Sequence, residues 1–389
     1  MRRFLAWILI FTLIQTPLHA LAEENTRGLD ISAKTGILVE AESGKVIMEK
    51  QADMKLPPAS VTKIMTLILI FDDISNGKLR FDEEVQVSEY AASMGGSQVF
   101  LEEGERQTVD TMIKCIAVAS ANDACVAMAE KICGSEEEFV KRMNKRAKSL
   151  GMKNTNFVNC NGLDTDGHET TARDISLMSR ELLLKYPKIQ EYSKIWMEDI
   201  VHHTRKGDKK FTVTNTNKFI RTYEYATGLK TGSTGKAGFC LSASAEKDHI
   251  KLIAVVMAEP DSKTRLKDVI SMLDYGYSKC ERYQDDKSSK KTFKAKVNKG
   301  IKNTVKGSPE RIFSYVHTGS ESISDMKSKV YYEKLNAPVH VGDKIGRIVY
   351  FLGENSIGEI DIKAGEEVKK MTFAAAFTKV TGEYFLSAK

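Results

Sequence analysis

Pro57-Pro58-Ala59-Ser60-Val61-Thr62-Lys63, running into Ile64-Met65-Thr66-Leu67-Ile68-Leu69-Ile70-Phe71, combines a helix start, a hydroxyl, an amine and a greasy run in fifteen residues. Proline fixes φ near its helical value and has no N–H to lose, so the two prolines suit a first turn. The apolar run predicts a buried helix that stops near Asn76-Gly77. Ser60 and Lys63 stand three apart and share a face of that helix. At its first turn, free backbone N–H groups and the positive dipole end favour developing negative charge. A serine beside a lysine in that setting is the layout of a nucleophile with an amine as its base.

The pair is weak evidence alone, because Ser-x-x-Lys recurs at Ser75/Lys78, Ser233/Lys236, Ser244/Lys247, Ser288/Lys291 and Ser324/Lys327. Only Ser60 adds a proline-led start and a buried helix. Two further elements follow. Ser120-Ala121-Asn122 breaks two apolar segments, where it serves either as convergent polar groups or as a cap for the helix beginning at Asp123. Lys230-Thr231-Gly232 precedes an apolar strand, and a second copy, Lys34-Thr35-Gly36, reads as coincidence at the start of an outer hairpin.

Residues 1–22 read as a secretory signal peptide: Arg2-Arg3, an apolar run from Phe4 to Ile14, and a small-x-small site at Ala20-Leu21-Ala22. The chain is therefore expected to be exported, to the outer face of the cytoplasmic membrane or the wall. Its formal charge of +6 falls to about +4 once Arg2 and Arg3 leave. That is too mild for nucleic acid and compatible with anionic wall polymers or lipid headgroups. The cysteines, Cys115, Cys125, Cys133, Cys160, Cys240 and Cys280, form no CxxC pair and read as free thiols, the first, second and fifth as small core residues.

Residues 23–280 read as one α/β (α+β) domain with a mostly antiparallel sheet and a helical part. The expected elements are a hairpin over Ile37–Lys50, a glycine turn into a strand over Gly95–Leu101, and helices over Val109–Ala119, Asp123–Cys133, Ser135–Leu150 and Asp174–Lys185. Strands over Phe211–Thr216, Gly238–Ala245 and Lys251–Met257 precede a helix over Thr264–Tyr277. After Cys280 the composition turns lysine-rich, and residues 281–368 alternate like a small β-sandwich, with strands over Val297–Val305, Ile312–His317, Val330–Leu335, Val339–Val349 and Gly358–Val368. Residues 369–389 place Met371 or Phe373, Phe377, Val380 and Tyr384 at helical spacing, either an amphipathic helix lying on a membrane surface or an ordinary helix or strand packed on the second domain.

Ser-x-x-Lys, then Ser-x-Asn about 60 residues on, then Lys-Thr-Gly about 110 beyond, resembles the penicilloyl serine transferases, that is, penicillin-binding proteins and serine β-lactamases. Longer words narrow this. Pro-Ala-Ser60-Val-Thr-Lys63, the run from Met94 to Leu101, Asn161-Gly-Leu-Asp, the run from His168 to Asp174, and the run from Lys230 to Gly238 resemble the low-molecular-mass D-alanyl-D-alanine carboxypeptidases. The likeness spans about Gly36 to Tyr277, and a trailing β domain with an amphipathic tail matches that layout.

The resemblance implies a substrate, the D-Ala-D-Ala end of the peptidoglycan stem peptide, and an acyl-enzyme on Ser60. It makes Lys63 the base, which requires a drop of about 3 pKa units, or about 4 kcal/mol, from a free lysine. Ser120 and Lys230 relay the proton, and Asn122 holds Lys63 and a substrate amide. The N–H groups of Ser60 and Ser233 hold the oxyanion, Thr231 beside Gly232 binds the terminal carboxylate, and Arg265 is either a second carboxylate partner or a surface helix arginine. The words around Asn161 and Arg173 are expected to be loop anchors. No metal or organic cofactor is implied, and β-lactams are implied as covalent inhibitors. A β-lactamase, a transpeptidase and a catalytically silent wall-binding scaffold are the rivals.

Overall fold

The computed structural model describes residues 29–204, 207–318, 321, 323–377 and 381. The signal-peptide expectation and the end of the tail, including Val380 and Tyr384, lie outside the described residues.

The chain opens with the hairpin β1 (Thr35–Glu40) and β2 (Val46–Lys50). A 3-10 turn (Ala59–Thr62) leads into α1 (Lys63–Ser75), in which every side chain from Lys63 to Asp73 is buried. This is the helix at the centre of the molecule. Gly77, at φ +69°, takes the chain away from its end in a conformation that glycine alone adopts without cost.

The helical part that packs on α1 begins with β3 (Glu84–Gln86), α2 (Glu89–Ala92), β4 (Arg106–Thr108) and α3 (Val109–Lys114). After a π-helical turn (Cys115–Ala119) it continues with α4 (Asn122–Cys133), α5 (Glu136–Ser149), α6 (Ala172–Lys185) and α7 (Ile189–Ser193). The start of α5 shows why local chemistry fixes these bounds. Ser135 accepts the Glu138 N–H as a cap, three glutamates fill the first turn, and Arg146 and Lys148 fill the last. The hairpin of β5 (Met197–Thr204) and β6 (Gly207–Thr214) and the short α8 (Phe219–Thr222) return the chain to the sheet.

There β7 (Ala226–Thr234), β8 (Gly238–Lys247) and β9 (Ile250–Glu259) complete a five-stranded sheet in the order β2-β1-β9-β8-β7, antiparallel throughout. The strands of the β8–β9 hairpin fall where the sequence places them, with Asp248 and His249 at φ +50° and +60° in the turn. Helix α9 (Ser262–Lys279) covers one face, burying Val269, Met272 and Leu273 against Leu38, Leu252 and Val256. Helices α1 and α6 cover the other. The fold class is the expected α+β arrangement.

One expectation for this part of the chain needs correction. The segment Gly95–Leu101 is no strand: the buried Asp123 carboxylate accepts the N–H groups of Val99 (3.1 Å) and Leu101 (3.1 Å), taking the donors a ladder would use. Lys230-Thr231-Gly232 precedes β8 as expected, and it lies within β7, an edge of the sheet.

Beyond β10 (Cys280–Gln284) and α10 (Asp286–Ser289) come β11 (Phe293–Asn298), β12 (Thr304–Pro309), β13 (Ser314–Thr318), β14 (Met326–Tyr332), β15 (Leu335–Asn336), β16 (Lys344–Leu352) and β17 (Asn355–Ala364). Six of them make a sheet in the order β14-β16-β17-β12-β11-β15, and β10 pairs with β13. Tyr283 and Tyr315 of that pair pack on a second core formed by Val305, Ile345, Ile348, Tyr350, Ile360 and Ile362. The expected strand Val297–Val305 is instead a turn between β11 and β12. All six cysteines are free, with Cys115, Cys125 and Cys240 fully buried.

Candidate active site

Lys63 is fully buried at the start of α1. Its Nζ stands 3.0 Å from Ser60 Oγ, 2.6 Å from Asn122 Oδ1 and 2.6 Å from the Asn161 carbonyl oxygen. An uncharged amine has two N–H donors and one lone pair. With the donors given to Asn122 and Asn161, the lone pair is left facing the Ser60 hydroxyl, the arrangement a base requires. Burial pushes the Lys63 pKa down, opposed by the buried Cys125 and Cys160 and by Asp123.

Lys230 is the second buried amine. Its pKa lies well below the ordinary value, first through burial and then through repulsion from Lys63 and Arg265. Its Nζ donates to the Thr231 carbonyl oxygen at 3.1 Å. The two lysines are each about 1% exposed or less, neither forms an ion pair among the described residues, and burial shifts both toward the uncharged form.

Ser120 follows the π-helical turn and sits at φ +60°, ψ +35°, a left-handed conformation that a non-glycine residue rarely adopts. Its Oγ is buried with no hydrogen-bond partner among the described residues. Asn122 does not cap its helix: the cap position is Ala121, without a side-chain bond, and the Asn122 amide spans Lys63 and the Gly95 carbonyl oxygen (2.7 Å). The polar role, not the capping role, is what the side chain performs.

The strand edge closes the site. An added Cβ on Gly232 would stand 2.9 Å from the Ser60 backbone nitrogen and 3.0 Å from the Pro58 carbonyl oxygen, so only glycine lets β7 lie against the Ser60 turn. Gly162 packs on the same turn, where a Cβ would fall 1.9 Å from the Ala59 carbonyl oxygen. His168 holds that carbonyl as well. Its Nδ1 accepts the Val158 N–H at 3.0 Å, which leaves the proton on Nε2, facing Thr62 Oγ1 at 2.8 Å; Thr62 in turn donates to the Ala59 oxygen at 2.8 Å. Burial lowers the His168 pKa to about 4, so the ring stays neutral.

A cavity of about 120 Å³ opens beside these groups, lined by Ser60, Ser97, Ser120, Thr231, Gly232, Ser233 and Arg265 together with Thr216 and Phe239. Arg265 therefore is no surface arginine. Its Nη1 donates to the carbonyl oxygens of Cys240 (3.2 Å) and Gly232 (3.4 Å), its guanidinium stands 5.7 Å from the Phe239 ring, and its buried Nε has no partner among the described residues. Larger surface clefts, such as the 540 Å³ one between Glu84 and Gly134, carry no comparable convergence of nucleophile and buried amine.

The nine site residues expected from the sequence, Ser60, Lys63, Ser120, Asn122, Lys230, Thr231, Gly232, Ser233 and Arg265, thus line or directly adjoin one pocket. Thr216, Ser97, Phe239 and the Asn161 carbonyl were not singled out for the chemistry. The Asn161 word does more than anchor a loop, since its carbonyl touches the Lys63 amine, whereas Arg173 is a pure anchor, paired with Glu49 (2.6 Å) and Asp53 (2.9 Å). Among the described residues no cluster of histidine, cysteine and carboxylate could hold a metal ion.

A serine within hydrogen-bond reach of a buried lysine whose pKa burial lowers, set beside an edge strand, defines a serine hydrolase of the acyl-enzyme type. The D-alanyl-D-alanine carboxypeptidase family model matches residues 20–261, and the model of the penicillin-binding protein 5 C-terminal domain matches residues 277–370. The chain belongs to the D-alanyl-D-alanine carboxypeptidase family, among the low-molecular-mass penicillin-binding proteins. It is 39% identical to the D-alanyl-D-alanine carboxypeptidase DacF of Bacillus subtilis, over 99% of both chains. Two similar solved structures are penicillin-binding protein 5 of Haemophilus influenzae and PBP3 of Streptococcus pneumoniae. The first is 28% identical, with a TM-score of 0.66 over 88% of this chain and 99% of that one. The second is 25% identical, with a TM-score of 0.72 over 88% of this chain and 100% of that one.

Proposed function

We propose that this serine D-Ala-D-Ala carboxypeptidase works through the following division of labour. Ser60 Oγ attacks the carbonyl of the penultimate D-Ala of a stem pentapeptide as Lys63 Nζ takes its proton. The oxyanion is received by the N–H groups of Ser60 and Ser233. Ser120 and Lys230 pass the proton to the leaving amine, free D-Ala departs, and water releases the shortened peptide from Ser60. Asn122 holds Lys63 and a substrate amide, while Thr231 and Arg265 bind the terminal carboxylate, a group suited to a fork of donors. β-Lactams acylate the same serine.

The observation that carries this reading is the Lys63 amine 3.0 Å from Ser60 Oγ, its N–H groups taken up by Asn122 and Asn161. D-Ala release from a pentapeptide, with and without penicillin, tests it. Release is expected from the wild type, none from Ser60→Ala, and none after penicillin; equal release by Ser60→Ala would overturn it. A fluorescent penicillin label lasting minutes separates this activity from a β-lactamase, which would shed it within seconds.

The chain is read as exported, with a catalytic unit to about residue 280 and a β unit over 281–368. The tail from residue 369 is read as a membrane-surface anchor, supported by the outward-facing Phe373 (89% exposed) and Phe377 (64% exposed), one helical turn apart. Among the described residues no helix is long and apolar enough to cross a bilayer. Flotation with anionic vesicles tests the tail: the full chain should float and a chain ending at residue 368 should not.

A further inference from the structure

Thr216 is exposed, yet its backbone is held on every side. Its neighbours Asn215 and Asn217 are buried, about 5% and 2% exposed. Asn215 Nδ2 donates to the Ile195 carbonyl oxygen at 2.7 Å, and its Oδ1 accepts the Asn217 N–H at 2.8 Å. The Thr216 N–H donates to the Val118 carbonyl oxygen at 3.1 Å, which ties it to the turn that delivers Ser120. The two asparagines therefore act as a clamp that turns one hydroxyl outward. That hydroxyl faces the cavity shared by Ser60, Ser233 and Arg265, and its Oγ1 lies 2.9 Å from Thr231 Oγ1.

Two hydroxyls in contact hold two protons. One is used between them, because each pair of oxygens shares a single hydrogen, and the other remains to be donated. Without Thr216, the Thr231 hydroxyl is a free rotor that also finds water or backbone oxygens. With Thr216 supplying the internal bond, the remaining O–H points into the cavity. An anion there finds the threonine pair on one wall and the guanidinium of Arg265, whose Nε is unpartnered, on another.

We propose that Thr216 is a positioning residue of the carboxylate seat: its hydroxyl orients that of Thr231, and the pair holds the terminal carboxylate of the substrate across the cavity from Arg265. The proposal rests on the function proposed above and assigns a role to a residue outside the three motifs. A simple structural cross-link between loop and strand is the competing role, and it makes different demands. A cross-link is lost equally for every substrate. A carboxylate seat matters only when the carboxylate is present.

The test uses the full chain and an N-acylated tripeptide ending in D-Ala-D-Ala, with a second substrate in which the terminal carboxyl is converted to an amide. Thr216→Val keeps the shape and removes the hydroxyl; Thr216→Ser keeps the hydroxyl. On the free acid, Thr216→Val should raise KM about tenfold, the loss expected for one hydrogen bond to a charged group, with kcat within about twofold. Thr216→Ser should stay within about twofold of wild type in both. On the amide, wild type and Thr216→Val should react equally. The proposal is overturned if Thr216→Val matches wild type on the free acid, if it loses equally on both substrates, or if Thr216→Ser is as impaired as Thr216→Val. Absence of D-Ala release by the wild type itself would sink the functional assignment and the seat with it, an outcome distinct from the other three.

Discussion

Lys34-Thr35-Gly36 and Lys230-Thr231-Gly232 are the same three residues in the same sheet, and they do nothing alike. The first copy enters β1, an inner strand between β2 and β9. There Lys34 is exposed, Thr35 is buried and donates to the Gln51 carbonyl oxygen at 2.7 Å, and Gly36 leaves room for the Ile31 side chain. The second lies on the edge strand β7, alongside the Ser60 turn. There Lys230 is buried near a second amine, Thr231 faces a cavity, and Gly232 clears the Ser60 nitrogen. The words carry no chemistry by themselves. An open strand edge next to the Ser60 turn, where Ala59 sits at φ +48°, gives them one.

The contrast can be broken by matched pairs of substitutions. The largest effect is expected from the lysines. Lys230→Ala should slow D-Ala release by about 10²-fold or more, the range for a lost proton-transfer group, and Lys34→Ala should stay within about twofold. Steady-state release on both variants checks this, and similar losses would erase the distinction.

The glycines come next and should separate by kind. Gly232→Ala places a methyl 2.9 Å from the Ser60 nitrogen, so penicillin acylation should fall on the order of 10²-fold with modest loss of stability. Gly36→Ala places one 2.7 Å from Ile31 Cδ1, so it should cost about 1–3 kcal/mol of stability while the folded fraction acylates normally. Urea unfolding alongside acylation rates reads both quantities.

The threonines should show a smaller version of the same split. Thr231→Val should cost about tenfold in kcat/KM. Thr35→Val, which strands the buried Gln51 carbonyl oxygen, should cost about 1–3 kcal/mol in stability and little in rate.

The smallest predicted effect is in pH. Burial lowers the pKa of Lys63 and Lys230 in the folded chain, so between those values and the ordinary lysine range the unfolded chain binds more protons. Stability then gains from these two groups as pH rises through that window and loses as it falls. Lys230→Met should flatten the slope of unfolding free energy against pH above neutrality; an unchanged slope would mean that Lys230 is charged when folded.

Much of this was legible in the residues. The apolar run after Lys63 could only be a buried helix, and the β8–β9 pair announced itself by two apolar runs around a polar turn. The three motifs named four of the nine residues that line the pocket, Ser60, Ser120, Thr231 and Gly232, because each motif is a contiguous word. What escaped has no local pattern. The Gly95–Leu101 segment has strand-like residues, yet Asp123, more than twenty positions later, takes its donors. Strand β5, Met-Glu-Asp-Ile-Val-His-His-Thr, is too polar for its pairing with β6 to be guessed. Thr216 is one threonine in a loop, and only the approach of β7 gives it meaning. Whether a Lys-Thr-Gly lies at an edge or inside a sheet is likewise set by strand order, which no short stretch encodes.

The central claim is that the amine of Lys63 is uncharged where it meets the Ser60 hydroxyl. The rate of Ser60 acylation by benzylpenicillin, followed by stopped flow across pH, tests it most directly. The account predicts a rise that levels off well below the pH at which an ordinary lysine loses its proton. A rate that keeps climbing until pH about 10.4, the free lysine value, would contradict it.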